Sequence, residues 1–231
     1  MVMCVHVPAA RRGEPLRVVV VDDHRTFSDL VRLALDHEPD LACVATARDA
    51  AEARARVLET RPDVVLMDVD LGPEDGLRLT EELRVQIPSL RVVVLTAHCD
   101  ASVMRRTAAA GACALLPKGE PLPDLLRALR HARLGELYVH PGLLPALVAE
   151  GSPSRHHHQA PLPALTPRET HVLQLLADGR SVTEIARLLG ISVHTCRGYV
   201  KTLLAKLGAH SQLEAVAVAG RLGILDAPAG R

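Results

Sequence analysis

Two apolar runs in this chain end abruptly on carboxylates. Val64-Val65-Leu66-Met67 stops on Asp68, with Asp70 two residues further, and Val18-Val19-Val20-Val21 stops on Asp22-Asp23. An unpaired charge taken out of water is expensive, so acids at the ends of buried strands need a balancing partner. Two more runs supply polar groups: Arg91–Leu95 leads to Thr96, and Cys113–Leu116 reaches Lys118 two residues on. If these runs lie side by side in a parallel sheet, Asp22, Asp23 and Asp68 share one edge with a hydroxyl and an ammonium. Carboxylates so close repel one another unless they share a cation. Oxygen ligands favour a hard ion, and Mg2+ is the usual cellular one. Mg2+ beside a carboxylate favours phosphoryl transfer, and a carboxylate can be the nucleophile, giving an aspartyl phosphate.

The elements that would position these groups alternate from Leu16 to Arg133. Short β-branched runs at 17–21, 41–46, 63–67, 91–95 and 113–116 are separated by helical patterns at 27–37, 49–60, 75–86, 101–110 and 122–134. Strands alternating with helices imply a doubly wound parallel sheet, a flavodoxin-like α/β fold, with helices on both faces. Such sheets bind ligands beyond the carboxyl ends of their strands, near a topological switch point. We therefore expect an α/β domain over 16–134 after a loose extension, 1–15. Residues 135–164 break the rhythm with five prolines and the polar patch Gly151–Gln159, and read as a linker with a short helix near 143–149. The run His156-His157-His158 could bind metal, but no second ligand cluster is evident.

From Leu165 onward the pattern is helical. Thr166-Pro167-Arg168-Glu169 and Ser181 with Glu184 are helix starts of the capping-box kind. The tight Gly190-Ile191-Ser192 separates a short helix from one expected over 193–207, and a fourth helix follows over about 212–222. On the third helix Val193, Cys196, Val200, Leu203, Leu204 and Leu207 form an apolar stripe, while His194, Arg197, Gly198 and Lys201 face outward. No acid occurs between Glu184 and Glu214. That face suits a major groove, where Arg or Lys reaches guanine edges; a solvated helix in a small bundle is the blander alternative.

Composition agrees with two modules. Residues 17–134 hold 16 bases and 19 acids, a net −3, whereas residues 165–231 hold 8 bases and 5 acids, a net +3. The aromatics are limited to Phe27, Tyr138 and Tyr199, so the cores must be built from Ala, Val and Leu. Five scattered cysteines without a CxxC pair fit a reducing, cytoplasmic compartment. No apolar run has the length of a membrane span, and residues 1–15 lack the apolar core of a signal peptide.

With these residues in view, the front half resembles a two-component receiver domain. The match rests on Asp22-Asp23, Asp68, Thr96 and Lys118 at successive strand ends, with Gly76 at the family's spacing from Asp68. The run Leu165–Glu169, Glu184-Ile185-Ala186, Leu189-Gly190-Ile191-Ser192 and Lys206-Leu207-Gly208-Ala209 resembles a LuxR-type helix-turn-helix domain. Together they are similar to the NarL/FixJ family of response regulators. The resemblance implies that Asp68 accepts a phosphoryl group from a sensor histidine kinase. It implies Mg2+ held by Asp23, Asp68 and the main-chain carbonyl of Asp70, with Asp22 assisting through water. Lys118 would bind phosphoryl oxygens, and Thr96, Ala97 and Leu115 would occupy the switch positions. Arg197 and Lys201 would read bases of double-stranded DNA beside Gly198. Val193, Thr195, Tyr199 and Lys206 would lie nearer its backbone phosphates, Ser181 could add a phosphate contact, and His194 belongs to the same DNA-binding face. The fourth helix would expose Leu213, Val216, Ala217 and Gly220 to pair two copies.

The sequence departs from the receiver pattern at Gly72, where a proline is usual, at Leu115, where an aromatic is frequent, and at Pro117, which removes a backbone donor before Lys118. Two other functions stay open on these residues. One is a DNA-binding regulator whose receiver is only a scaffold. The other is a phosphohydrolase, because Asp68-Val69-Asp70 resembles the nucleophile motif of haloacid dehalogenase-type enzymes. That second pattern leaves Asp22 and Asp23 unexplained.

Overall fold

The computed structural model describes residues 14–134, 136, 138–139 and 164–225. The expected extension, the short helix near 143–149 and the Pro/His-rich segment lie outside the described residues. So does most of the linker.

The front half is an α/β alternation. Strands β1 (Leu16–Val21), β2 (Leu41–Ala47), β3 (Val64–Asp68), β6 (Arg91–Thr96) and β7 (Ala114–Pro117) alternate with helices α1 (Arg25–Asp36), α2 (Ala50–Thr60), α3 (Gly76–Gln86), α4 (Ala101–Ala109) and α5 (Leu122–Leu134). Val, Leu and Met fill β1, β3 and β6, and nearly every residue of these three strands is buried, as strands covered on both faces must be. Asp49, Asp75 and Asp100 cap α2, α3 and α4 by accepting main-chain N–H groups of the first turn. The five strands expected from sequence are all present, with boundaries within a residue or so.

Two small elements add to them. A short strand β8 (Tyr138–Val139) runs parallel to β7, extending the sheet order to β2-β1-β3-β6-β7-β8. A hairpin of β4 (Asp70–Leu71) and β5 (Glu74–Asp75) closes through Gly72-Pro73. Gly72 has φ 70°, and proline at the next position fixes a negative φ, which together are the signature of a type II′ turn. Two-residue strands are too short to leave a periodic signal, which is why the sequence pattern does not show them.

The chain order reverses between β1, whose next strand pairs on one side, and β3, which pairs on the other. That is the switch point at which such sheets open a crevice. Register fixes what stands there. Val21 pairs with Met67 and Asp68 with Leu95, so one residue past Val21 the chain brings Asp22 alongside Asp68.

Among the described residues the C-terminal half holds four helices: α6 (Pro167–Ala177), α7 (Val182–Leu188), α8 (Val193–Leu207) and α9 (Gln212–Arg221). Both expected capping boxes are formed, Thr166 with Glu169 and Ser181 with Glu184. Gly208, at φ 63°, ends α8 in the left-handed conformation. Val172, Leu173, Ile185, Cys196, Leu203 and Val216 form the centre of this small core.

By packing, the described chain divides into residues up to 97 with 116–135, and 98–115 with residues from 136 onward. The second unit therefore includes α4 with the C-terminal helices. Within it α9 packs against α4, α6 and α8. This corrects one expectation. Leu213, Val216, Ala217 and Gly220 are buried in this conformation and not exposed, because those neighbours cover the apolar face of α9. Among the described residues no helix is long and apolar enough to cross a membrane.

Candidate functional site

The carboxyl ends of β1, β3 and β7 converge on one ammonium. Lys118 Nζ lies 2.6 Å from Asp68 Oδ2, to which it donates a hydrogen bond, and 2.8 Å from Asp22 Oδ2. Asp22 and Asp68 are each only 2 % exposed. The lysine is held by its main chain as well as its head group, since its N–H donates to the Thr96 carbonyl at 2.8 Å. Pro117 therefore costs the edge no anchoring bond at this point: the donor that matters is one residue later. Phe27, on α1, places its ring 5.4 Å below Lys118 Nζ, a cation–π contact that steadies the side chain from its apolar flank.

The carboxylates are individually oriented. The His24 main-chain N–H donates to Asp22 Oδ1 at 2.9 Å. Asp22 Oδ2 is paired with the Lys118 ammonium at 2.8 Å, so the one lysine serves both carboxylates. An N–H of the Asp70 main chain supports the Asp68 carboxylate, while the Asp70 side chain is exposed and stands apart from the acidic cluster. Asp23 is more open, and His24 Nδ1 lies 2.6 Å from Asp23 Oδ1.

Gly76 explains its fixed spacing from Asp68. A β-carbon there would stand 1.9 Å from the Asp68 carbonyl oxygen. The loop between them is tied at both ends, with Val69 N–H donating to Leu95 and Gly76 N–H to Val69. Thr96 and Leu115 are buried, each 1 % exposed, and Ala97 is at the surface.

The electrostatics follow from burial. Desolvation pushes the Asp68 carboxyl above its ordinary value, and the Asp22 charge adds to that, against the lowering effect of Lys118 and the Asp70 N–H. Burial alone would depress the Lys118 ammonium, but hydrogen bonding and attraction to Asp22 and Asp68 outweigh it and the net shift is upward. Asp22, Asp23 and Asp68 against Lys118 leave a formal charge of two negatives, which one divalent cation would neutralise. Ligating atoms of Asp22, Asp23, His24 and Asp68 all lie within 4.8 Å of one another. The residues fit a metal ion: the donors are close, oxygen-rich and carry more negative charge than Lys118 neutralises.

On the helical half the expected reading face is accessible. His194, Thr195, Arg197, Gly198 and Lys201 of α8 are exposed, Val193 and Tyr199 half-buried, and Cys196, Val200, Leu203 and Leu207 face the core. Two of the expected phosphate contacts already have internal duties. Lys206 Nζ bonds the buried Glu169 carboxylate at 2.7 Å and the Ala164 carbonyl at 3.0 Å. Ser181 Oγ is shared with Glu184 in the capping box.

Sequence reasoning passed over His24 and Phe27. The signal for His24 was its place directly after the acid pair; that for Phe27 was being the chain's one phenylalanine, a turn into the helix after β1.

Residues 18–130 match the response regulator receiver domain, and residues 163–219 match the luxR family of bacterial regulatory proteins. The oxygen regulatory protein NreC of Staphylococcus aureus is 32 % identical over 216 residues, covering 91 % of this chain and all of that one. This chain is a NarL/FixJ-family response regulator. Among solved structures, a LuxR-family response regulator from Aurantimonas is 28 % identical with TM-score 0.56, covering 59 % of this chain and 98 % of that one. The receiver domain of a NarL regulator from Mycobacterium tuberculosis is 29 % identical with TM-score 0.51, over 53 % of this chain and 98 % of that one. The response regulator is thus a transcription factor under phosphorylation control, with its acidic pocket on the receiver half.

Proposed function

We propose that Asp68 is the phosphoacceptor and that its modification governs sequence-specific DNA binding by α8. The observation that carries this is the pairing of Asp68 and Asp22 on the single Lys118 ammonium, at 2.6 and 2.8 Å. In the transfer, an Asp68 carboxylate oxygen attacks the phosphorus of a kinase phosphohistidine. The new O–P bond forms as the N–P bond breaks, and the imidazole leaves with the bonding pair. Asp23, Asp68 and the Asp70 carbonyl would hold Mg2+, with Asp22 assisting, and the ion would supply positive charge to the transferred oxygens. Lys118 moves its hydrogen bond from the carboxylate to those oxygens, and the Thr96 hydroxyl follows.

On the helical half, Arg197 and Lys201 read bases beside Gly198. Val193, His194, Thr195 and Tyr199 flank the phosphates, with Ser181 and Lys206 contributing at the edges. Two copies pair through α9 once its apolar face is released from α4, presenting two recognition helices to a repeated operator. The setting is cytoplasmic, with a sensor histidine kinase as donor. Binding and phosphorylation shift an existing equilibrium between conformations.

The test is incubation with a small phosphodonor and Mg2+, followed by intact mass and selection of bound DNA. We expect one base-labile, acid-resistant phosphoryl adduct, lost in Asp68→Asn, with DNA selection changed alongside it. No adduct would point to the scaffold reading, and repeated turnover of a phosphoester to the hydrolase.

A further inference from the structure

The run Leu165–Glu169 contains one charged residue that neither the capping box nor the reading face uses. Arg168, half-buried in the first turn of α6, donates from a guanidinium nitrogen to the Leu189 carbonyl at 2.7 Å. Leu189 is the C-cap of α7, at the turn that leads into α8. That turn is closed from within by Ile191 N–H donating to the Ala186 carbonyl at 3.0 Å and Gly190 N–H to the Arg187 carbonyl at 3.2 Å. Gly190 has φ 64°, which completes a Schellman motif. The motif satisfies carbonyls deeper in the helix and leaves that of Leu189 to find a donor elsewhere. Beyond the turn, Ser192 caps α8 by accepting from the Thr195 N–H at 3.0 Å. These bonds fix the shape of the turn, but none of them ties it to another helix. Arg168 supplies that tie. The same turn of α6 also bears on α8 itself. Burial and the Glu136 charge push the Cys196 thiol up, and Arg168 is foremost among the charges that oppose the rise, so its guanidinium acts on the first turn of α8. The next residue, Glu169, accepts from Lys206 at 2.7 Å, in the last turn of α8. Adjacent residues of α6 thus hold the reading helix near both ends.

We propose that Arg168 is a positioning residue for DNA recognition: by holding the Leu189 carbonyl it sets the direction in which α8 leaves the turn, and so which bases Arg197 and Lys201 reach. The inference rests on the reading of α8 as the DNA-reading helix and deepens it. With 15 residues, α8 is about 22 Å long, so a small rotation at its start becomes a displacement along its length. Reading a base edge demands bidentate geometry, whereas attraction to phosphates tolerates a shifted helix. A loosened turn therefore loses discrimination before it loses binding. Arginine suits this duty because its planar fork is pre-organised and always charged, and it stands at the negative C-terminal end of α7.

The test compares the full-length wild type with Arg168→Met and Arg168→Lys, all treated alike with the small phosphodonor and Mg2+. Methionine keeps an apolar stem and removes the donor; lysine keeps the charge without the fork. Binding is measured across salt concentrations to the duplex that wild type selects from a random pool and to a scrambled duplex. In Arg168→Met we expect affinity for the selected duplex to fall about tenfold, while scrambled-duplex affinity moves less than about twofold with an unchanged salt slope. Arg168→Lys should recover part of the discrimination. Equal loss on both duplexes with a salt slope lower by about one would make Arg168 a phosphate contact and overturn the inference. Equal loss with reduced helicity would overturn it too, leaving a merely structural role, and so would unchanged discrimination. Hydrogen exchange without DNA reads the hold itself. The Gly190, Ile191 and Thr195 N–H groups should exchange about tenfold faster in Arg168→Met, while that of Val216 in α9 keeps its wild-type rate. Unchanged exchange at the turn would overturn the inference. A wild type that selects no duplex would sink the DNA-reading proposal instead, and exchange would still decide whether Arg168 holds the turn.

Discussion

A β-carbon on residue 76 would stand 1.9 Å from the carbonyl oxygen of Asp68, so the start of α3 rests directly on the main chain of the proposed phosphoacceptor. Nothing flexible lies between them to yield. Gly76→Ala must therefore move either the helix start or the carboxylate, with an overpacking cost of about 1–3 kcal/mol. We expect a clear fall in Tm and, because a small misplacement of a reacting group is costly, a much slower phosphoryl transfer. Wild-type stability in Gly76→Ala would contradict the contact.

Lys118→Met removes the charge that Asp22 and Asp68 share. The Asp68 carboxyl, already above its ordinary 3.8 through burial and the Asp22 charge, then loses the ammonium that opposes the rise. A carboxylate whose folded value lies above its unfolded one gives stability that is present at low pH and lost as pH rises. The variant should be about 1–3 kcal/mol less stable at neutral pH, with the deficit shrinking on acidification. Divalent cations should raise its Tm more than that of the wild type, since they bind only the folded pocket. Thermal melts across pH, with and without Mg2+, measure both effects.

Gly198 occupies the exposed face of α8, and an added β-carbon there would meet nothing within 4 Å. Glycine inside a helix costs about 1 kcal/mol relative to alanine, so Gly198→Ala should stabilise the helical half by that amount. On the proposed reading, the bare position serves contact with the groove. Selection of bound DNA by Gly198→Ala should return altered sequences, whereas a passive position would return the same ones.

The sequence was most informative where chemistry and periodicity coincide. Asp22, Asp68, Thr96 and Lys118 were legible because each ends a β-branched run, and parallel pairing then leaves little choice about which ends meet. Both capping boxes were legible because Thr166, Glu169, Ser181 and Glu184 act on neighbours three residues away. What escaped depends on direction in space. Whether α9 shows or buries Leu213 and Val216 is decided by packing partners, and periodicity identifies an apolar face without naming what covers it. His24 and Phe27 gain meaning only from side-chain distances to Asp23 and Lys118, and β8 pairs through too few residues to leave a pattern.

Glu169 joins two ends of the helical half. Its carboxylate accepts from Lys206 and closes the Thr166 capping box, and these bonds, that to Lys206 foremost, hold its carboxyl below the ordinary 4.5. A depressed carboxylate contributes stability that is complete above 4.5 and fades as pH falls through its lower folded value. Acid unfolding of α6–α9 should therefore begin below 4.5, and Lys206→Met should move it to higher pH. Far-ultraviolet dichroism against pH gives the midpoint.

Arg197→Ala and Lys201→Ala separate reading from holding. A residue bidentate to a guanine edge carries about 1–3 kcal/mol of discrimination. Each loss should relax preference at one operator position and leave non-specific affinity nearly intact, whereas loss of a phosphate contact weakens all sequences alike and lowers the salt dependence. Unchanged site selection in the double variant would remove α8 from the groove.

The chain contains one phenylalanine, and its ring lies 5.4 Å from the Lys118 ammonium. Nature has thereby supplied a built-in spectroscopic probe. Biosynthetic fluorophenylalanine would give a single resonance, free of overlap, whose chemical shift responds to every change of charge at that lysine. Metal loading, phosphoryl arrival and its hydrolysis could each be timed in the intact regulator without altering a residue of the pocket.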